Sequence, residues 1–357
     1  MKYGLFGKSG LRVSEICLGT MTFGEDWGWG GSKNESLKMF NTFVDAGGNF
    51  LDTANNYTQG TSEKYLGEFI EGDRDRFVLA TKYTSNTRRN DPNAGGNHRK
   101  NLMQAVDASL ERLKTDYIDL LWVHAWDRMT PVEEMMRALD DTVRSGKVLY
   151  LGISDAPAWV ASQANTMATM RGWTPFVGLQ IEYSLLERTP ERELLPMSHY
   201  FDIGITAWSP LAMGILTGKY NSTQGTKKES GRLDIIRSTL GDLVDARLNE
   251  KNLSIAQEVI EISKEVGCTP SQVALNWVRQ QQKAGEGIII PIIGGKNSNQ
   301  IKQNIDCLEF KLGETQLKRL DEISRIELGF PHDFLASDSI IDIIYGGTYS
   351  SIVDHRR

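Results

Sequence analysis

Short apolar runs that end on a glycine or a polar residue recur along this chain, with longer amphipathic stretches between them. Ile16-Cys17-Leu18-Gly19, Asn49-Phe50-Leu51-Asp52, Phe77-Val78-Leu79-Ala80-Thr81-Lys82 and Ile118-Asp119-Leu120-Leu121-Trp122-Val123-His124 are the first four. A parallel strand covered on both faces is apolar nearly throughout, so these runs predict buried strands at 16–19, 49–52, 77–81, 117–122, 148–152, 176–180, 203–207 and 287–291. The intervening stretches predict helices near 32–47, 61–71, 99–113, 131–145, 156–171, 190–199, 250–266 and 297–307, with one more near 314–326. Ahead of them, residues 2–14 carry the alternation and the Gly-Lys-Ser-Gly turn of a β-hairpin.

Eight strand–helix pairs over roughly 290 residues match an α/β fold of the (β/α)8 TIM-barrel type. The expectation is one domain over 1–357, with a core at about 15–312 and a C-terminal extension at about 328–357. A doubly wound sheet is the rival, and its nucleotide-binding form carries G-x-G-x-x-G after the first strand. Gly19-Thr20-Met21-Thr22-Phe23-Gly24 fails that spacing, and Gly214-Ile215-Leu216-Thr217-Gly218-Lys219-Tyr220 fails as a P-loop. Three segments exceed a minimal barrel: a polar insertion at 84–98, a long connection at 209–249, and a tail from Phe330 that could cover the barrel mouth or a neighbouring subunit.

Charge and composition narrow the partners. The chain has 357 residues, 40 Lys and Arg against 46 Asp and Glu, and a formal net charge of −6, without a basic stripe. That balance argues against nucleic acid or a membrane surface. Cys17, Cys268 and Cys307 are few and scattered, which favours buried thiols in a reducing cytosol over a disulfide framework. The N-terminus has no apolar signal core, so it is expected to be mature as written and the location cytoplasmic.

Asp52, Tyr57, Lys82 and His124 stand at or just past three consecutive strand ends, where a βα barrel carries its chemistry. A tyrosine titrates near 10, so it serves as acid or base at neutral pH only with help. The Lys82 ammonium could stabilise its phenolate, Asp52 could hold Lys82, and His124 could donate to a substrate oxygen. Each has a plainer alternative: a turn cap for Asp52, a rim aromatic for Tyr57, an ion-pair lysine for Lys82, a core histidine for His124. Their coincidence at adjacent strand ends favours the catalytic set. Trp27, Trp29 and Trp126 fall near the same mouth and suggest, with Tyr57 and His124, a flat apolar pocket for an aromatic or medium-chain ligand. Arg88, Arg89 and Arg99 could attract an anion, though a solvated basic loop is the simpler alternative.

The stretches Asn49 to Tyr57, Ser62 to Gly67, Ala80-Thr81-Lys82 and Asp116 to His124 resemble the aldo-keto reductase signatures. So do Gly152-Ile153-Ser154, Gln180-Ile181-Glu182-Tyr183-Ser184, Ala207-Trp208-Ser209-Pro210-Leu211 and Pro291 to Lys296, in the branch that also includes potassium-channel β-subunits. The resemblance implies NADPH-dependent, reversible reduction of an aldehyde or ketone, with NADH weaker. Tyr57 would be the proton donor, Lys82 and Asp52 would tune it, and His124 would position the carbonyl. Gly19, Thr20, Met21 and Asp52 would flank the cofactor. Ser154 and Gln180 would bind the carboxamide beside Asp155 and a helper at Tyr183, and Trp208 would lie near the nicotinamide ring. Ser209, Pro210 and Leu211 would contact ribose and pyrophosphate, and Gly214, Leu216, Gly218 and Lys219 would line the pyrophosphate. Gly294, Lys296 and Ser298 would clamp the adenosine phosphate, and Gln300 and Asn304 the adenine.

Asp155 stands where many members have Asn; an ionised carboxylate only accepts hydrogen bonds, so its contact to the carboxamide is open. No metal and no macromolecular partner are implied beyond a small carbonyl substrate, and a homo-oligomer stays open. Rivals are a Schiff-base aldolase built on Lys82 and a cofactor-binding redox sensor or regulatory subunit with little turnover.

Overall fold

An apolar strand with helices on one side and other strands around it has to close on itself or leave a bare edge. In the computed structural model, which describes residues 1–221, 241, 246–281 and 288–353, it closes. The interior of the long connection expected at 209–249, residue 287 of the last expected strand, and the end of the tail lie outside the described residues. The barrel strands are β3 (Cys17–Gly19), β4 (Phe50–Asp52), β5 (Val78–Tyr83), β6 (Ile118–Val123), β7 (Val148–Ser154), β8 (Phe176–Glu182), β9 (Gly204–Trp208) and β10 (Ile289–Ile293). All pair in parallel, and β10 returns to β3 through Ile292 opposite Cys17. The closed (β/α)8 barrel matches the sequence expectation strand for strand.

The expected hairpin forms from β1 (Tyr3–Leu5) and β2 (Arg12–Ser14), antiparallel. Phe6, at its turn, is fully buried and enters the barrel interior, meeting Phe50 edge-on at 5.5 Å and Trp122 at 6.3 Å. The interior glycines follow from these rings. A Cβ on Gly152 would stand 2.3 Å from the Trp122 ring, and one on Gly178 2.6 Å from Phe6 and 2.8 Å from Trp122. Bulky aromatics on one side of the interior therefore demand bare backbone on the other.

Around the barrel run α1 (Lys33–Asp45), α2 (Thr61–Phe69), α3 (Arg99–Leu113), α4 (Val132–Arg144), α5 (Ala158–Arg171), α6 (Leu194–Phe201), α7 (Glu250–Val266), α8 (Pro270–Gln280), α9 (Ser298–Ile305) and α10 (Glu314–Ser324). Helix α8 corrects the sequence expectation, which placed no helix between 266 and 287. Thr269 and Gln272 form a reciprocal capping box and Pro270 opens the first turn, so its start signal was in the sequence. The α8 face built from Val273, Ala274, Trp277 and Val278 is buried. Two further bounds move. The expected helix over 190–199 begins at Leu194 after a short 3-10 turn, and the one over 297–307 ends at Ile305.

The tail forms α11 (His332–Leu335) and α12 (Asp338–Tyr345), which pack chiefly on each other. It is tethered near β8 through Arg192 to the Glu327 carbonyl and His332 to Glu193, while Phe330 and Val353 stay 84% and 88% exposed. In the 84–98 insertion Arg88 pairs with Asp91 at 3.0 Å, and at its end Arg99 pairs with Asp141 at 2.6 Å, so neither is poised for an external anion. Among the described residues no helix is long and apolar enough to cross a membrane.

Adding a methyl at Gly152 against the wedged Trp122 is an overpacking substitution. Gly152→Ala is expected to lower stability by about 1–3 kcal/mol in a denaturant titration. Its cost should shrink when combined with Trp122→Phe; strictly additive losses would mean the two do not meet.

Candidate active site

Lys82 projects from β5 into the barrel mouth, where its side chain is fully buried. An ammonium cannot remain there unpaired. Its Nζ lies 2.5 Å from Asp52 Oδ2 and donates to the Thr53 carbonyl at 2.7 Å. The other oxygen, Asp52 Oδ1, accepts from Gln180 Nε2 at 3.0 Å. Both carboxylate oxygens are thus committed across the mouth, and Asp52 is not the turn cap of its plainer alternative. Burial pushes the Lys82 ammonium down, but Asp52 and then Tyr57 outweigh it and hold its pKa above the ordinary lysine value.

Tyr57 opens a tight turn over Tyr57–Gly60, and its ring centroid lies 4.8 Å from Lys82 Nζ. Thr58 and Gln59 then take φ of 46° and 55°, left-handed values that cost non-glycine residues on the order of 1–3 kcal/mol each. Buried bonds hold the turn in place. Thr58 Oγ1 donates to the Phe23 carbonyl at 2.6 Å, and the Ser62 hydroxyl links Thr20 and Thr53 at 2.8 and 2.9 Å. Behind Lys82, on the opposite face of β5, Thr81 donates to the buried Glu63 carboxylate, which also accepts from Arg112, each at 2.6 Å.

His124, just past β6, meets Tyr57 edge-on at 5.9 Å, and its Nδ1 is 3.3 Å from Ser85 Oγ. Burial, then the neighbouring Lys82 charge, push its pKa down to about 3. The imidazole is therefore neutral near pH 7. Trp27 stacks with Trp29 at 5.6 Å and stands against Tyr57 at 6.3 Å; Trp126 meets Trp159 at 5.2 Å. One aromatic pair thus stands on the β3–α1 connection beside Tyr57, and the other joins the β6–α4 connection to the first turn of α5. Among the described residues no cluster of His, Cys, Asp or Glu could hold a metal ion.

The remaining expected residues divide by position. Ser154 and Gln180 are buried at paired positions of β7 and β8, with Thr206 beside Gln180 on β9. Asp155 accepts from the Trp208 indole N–H at 3.1 Å, so its acceptor-only carboxylate meets a donor. Tyr183 departs from its expected helper place. It is buried against Trp277 of α8 at 5.4 Å and donates to Glu191 at 2.9 Å, toward the helices and away from the mouth. Ser209 Oγ accepts from the Met213 N–H, and Pro210, Leu211 and the 3-10 turn Ala212–Thr217 follow. The Leu216 side chain is in the core, so only its backbone faces the loop. A Cβ on Gly214 would stand 3.0 Å from Lys219 Nζ, which places a cation over a glycine in this turn; Gly218, at φ 80°, ends it. Gly19, Thr20 and Met21 lead off β3, with Thr20 N–H on the Asp52 carbonyl.

At the far end the Lys296 N–H donates to Gln300 Oε1 and Asn304 Nδ2 to the Gly294 carbonyl, so Gln300 and Asn304 shape the β10–α9 turn. These residues fit a nicotinamide dinucleotide. Thr206 Oγ1, beside Gln180, is buried without a hydrogen-bond partner among the described residues, and its hydroxyl could donate to or accept from a carboxamide edge. Two lysines and helix-start N–H groups suit phosphates.

Residues 15–325 match the model of the aldo/keto reductase family. The chain belongs to that family. It is 36% identical to norsolorinic acid reductase of Aspergillus flavus, over 93% of this chain and 83% of that protein. It is 35% identical to a putative aryl-alcohol dehydrogenase of Saccharomyces cerevisiae, over 93% and 89%, and 35% identical to the aryl-alcohol dehydrogenase [NADP(+)] of Phanerodontia chrysosporium, over 94% and 89%.

Four residues of this aldo/keto reductase site were absent from the sequence expectations. Ser85 lies in a loop and Trp159 in the first turn of α5, where the local pattern does not mark them, and Thr206 looks like an ordinary strand residue. Glu35 looks like a helix-start carboxylate, yet it reaches Ser298.

The depressed His124 pKa has a consequence for folding. Between the usual histidine value, about 6.5, and about 3, the unfolded chain takes up a proton that the folded chain refuses, so stability falls as pH drops through that window. From pH 7 to 5, the parent chain is expected to lose on the order of 1–2 kcal/mol more than His124→Asn in denaturant titrations. Equal losses would show that His124 keeps an ordinary pKa.

Proposed function

We propose that this chain, folded as one domain, reduces an aldehyde or ketone to the alcohol with NADPH, NADH serving less well, and runs the reverse oxidation. One observation carries the proposal: the Tyr57 ring lies between a buried, ion-paired Lys82 ammonium and a neutral His124 at the barrel mouth. The names of the relatives, aryl-alcohol dehydrogenases and norsolorinic acid reductase, support an aromatic carbonyl, as do Trp27, Trp29, Trp126 and Trp159.

Tyr57 gives its proton to the carbonyl oxygen as negative charge develops there. Lys82 stabilises the resulting phenolate and so makes a weak acid usable near neutral pH. Asp52 and Gln180 fix Lys82, at the cost of offsetting part of its field. With Nδ1 facing Ser85, His124 turns Nε2–H toward the carbonyl oxygen and orients it. Nicotinamide, when bound, supplies the hydride. Ser154, Gln180 and Thr206 would hold its carboxamide, and the Trp208 indole, anchored by Asp155, would border the ring. Ser209 to Lys219 would take the pyrophosphate, and Gly294 to Asn304 the adenosine end.

The test begins with NADPH and NADH binding by tryptophan quenching, then follows nicotinamide absorbance over aromatic and aliphatic aldehydes and ketones. Tyr57→Phe is expected to bind NADPH like the parent and to lose reduction by roughly 10²–10⁴-fold. Unchanged turnover would remove Tyr57 from the acid role. Tight binding by the parent without turnover on any carbonyl would favour the redox-sensor alternative.

A further inference from the structure

Glu35 and Ser298 are 263 residues apart in the chain, yet the Ser298 N–H donates to Glu35 Oε1 at 2.8 Å. Ser298 opens α9, and Glu35 lies in the first turn of α1, whose N-cap is Ser32. Two helix starts therefore meet, each presenting the positive end of its dipole. Lys38 stands 3.6 Å from the second Glu35 oxygen, and Thr22 Oγ1 donates to the Gly295 carbonyl at 3.0 Å. The connection from β3 to β4 is thus fastened twice to the β10–α9 turn. Glu35 is held where anions are favoured, and the Ser298 N–H holds its carboxyl below the usual carboxylate range.

We propose that Glu35 is the specificity residue that sets the balance between NADPH and NADH, by occupying with its own carboxylate the N–H that an adenosine 2′-phosphate would use. This rests on the assignment of Lys296 to Asn304 to the adenosine end. The chemistry is one of charge and donor count. A 2′-hydroxyl can donate to a carboxylate, which is how an acidic side chain selects NADH in other dinucleotide folds. A 2′-phosphate is a dianion and has no proton to offer, so it meets the carboxylate as a like charge and has to displace it from Ser298. Lys296 and Lys38 attract the phosphate while Glu35 opposes it. The result is a site that admits both cofactors, with its NADPH preference held below what the lysines alone would give.

The experiment measures dissociation constants by intrinsic fluorescence for NADPH, NADH, adenosine 2′,5′-bisphosphate and adenosine 5′-monophosphate. The proteins are the full chain, Glu35→Gln, Glu35→Ala and, as a control, Lys296→Ala. Both Glu35 variants are expected to bind NADPH and the 2′,5′-bisphosphate at least tenfold more tightly, with NADH and the monophosphate unchanged or a few-fold weaker. Lys296→Ala should move the 2′-phosphorylated ligands the other way. An unchanged NADPH-to-NADH ratio in both Glu35 variants, with both cofactors bound, would overturn the role of Glu35 and leave the cofactor assignment standing. Failure of every protein to bind either dinucleotide would overturn the assignment and the proposal together.

Discussion

A buried ammonium in contact with a buried carboxylate is the constraint around which this barrel is arranged. Removing either charge from water costs several kcal/mol before the pair is made, and the pair repays that only with good geometry and every remaining polar atom satisfied. The fold meets both conditions through four residues on or just past three strands. Asp52 from β4 and Lys82 from β5 make the pair, the Thr53 carbonyl takes a second ammonium proton, and Gln180 from β8 takes the free carboxylate oxygen across the mouth. Such an arrangement requires closure of the sheet, because Gln180 reaches Asp52 only when β8 and β4 face each other across a barrel. The pair then imposes a field on what lies beside it: it faces Tyr57 with a fixed cation, and the Lys82 charge adds to the burial that lowers the His124 pKa.

Stability and chemistry are separated along the barrel axis. Phe6, Phe50 and Trp122 fill the interior beneath the mouth, and Gly152 and Gly178 give them room. That packing leaves no freedom for the strands to slide, which is what a polar cluster tolerant of only small displacements needs. Two successive left-handed residues, Thr58 and Gln59, put backbone strain directly after Tyr57. The Ser62 hydroxyl network and the Thr58 bond to Phe23 hold that strained turn against relaxation. The glutamate of the Ser62-Glu63 stretch does not touch the mouth; it clips α2 and α3 onto the back of β5 and so fixes where Lys82 starts.

How much of this could be read from the sequence depended on the range over which each fact is determined. Barrel strands were legible because a parallel strand buried on both faces is apolar over its length, and the polar residues ending such runs are then conspicuous. Asp52, Lys82 and His124 stood out for that reason, and Tyr57 through the motif around it. Helix α8 was missed although its signals are local: Gly267 closes α7 in the left-handed region, and the Thr269–Gln272 capping box and Pro270 open α8. The direction of Tyr183 was not legible. It lies just beyond β8, where strict alternation lapses, and its partners Glu191 and Trp277 belong to later elements. Nor could periodicity reveal that Asp155 would meet Trp208, or that Glu35 would meet Ser298, since each contact exists only after the barrel closes.

One connection reaches both ends of the site. Between β3 and β4, Trp27, packed on Trp29, stands against Tyr57, while Thr22 and Glu35 bond the β10–α9 turn. The segment is stiffened by its own backbone, through the bridge between Phe23 and Gly31 and the paired bonds between Gly24 and Gly31 and between Gly31 and Thr22. Gly30 has no alternative residue there: at φ 134° a Cβ would stand 2.1 Å from the Gly24 carbonyl oxygen. A stiff element in contact with the aromatic wall and with the adenosine end cannot shift at one without loading the other. Displacement of Glu35 by a 2′-phosphate would therefore be felt through α1 and this loop at the Trp27–Tyr57 contact, whereas a 2′-hydroxyl would leave the loop as it is. On the proposed assignments, cofactor choice and substrate fit would be coupled through this one segment, which supplies none of the four residues proposed for the chemistry.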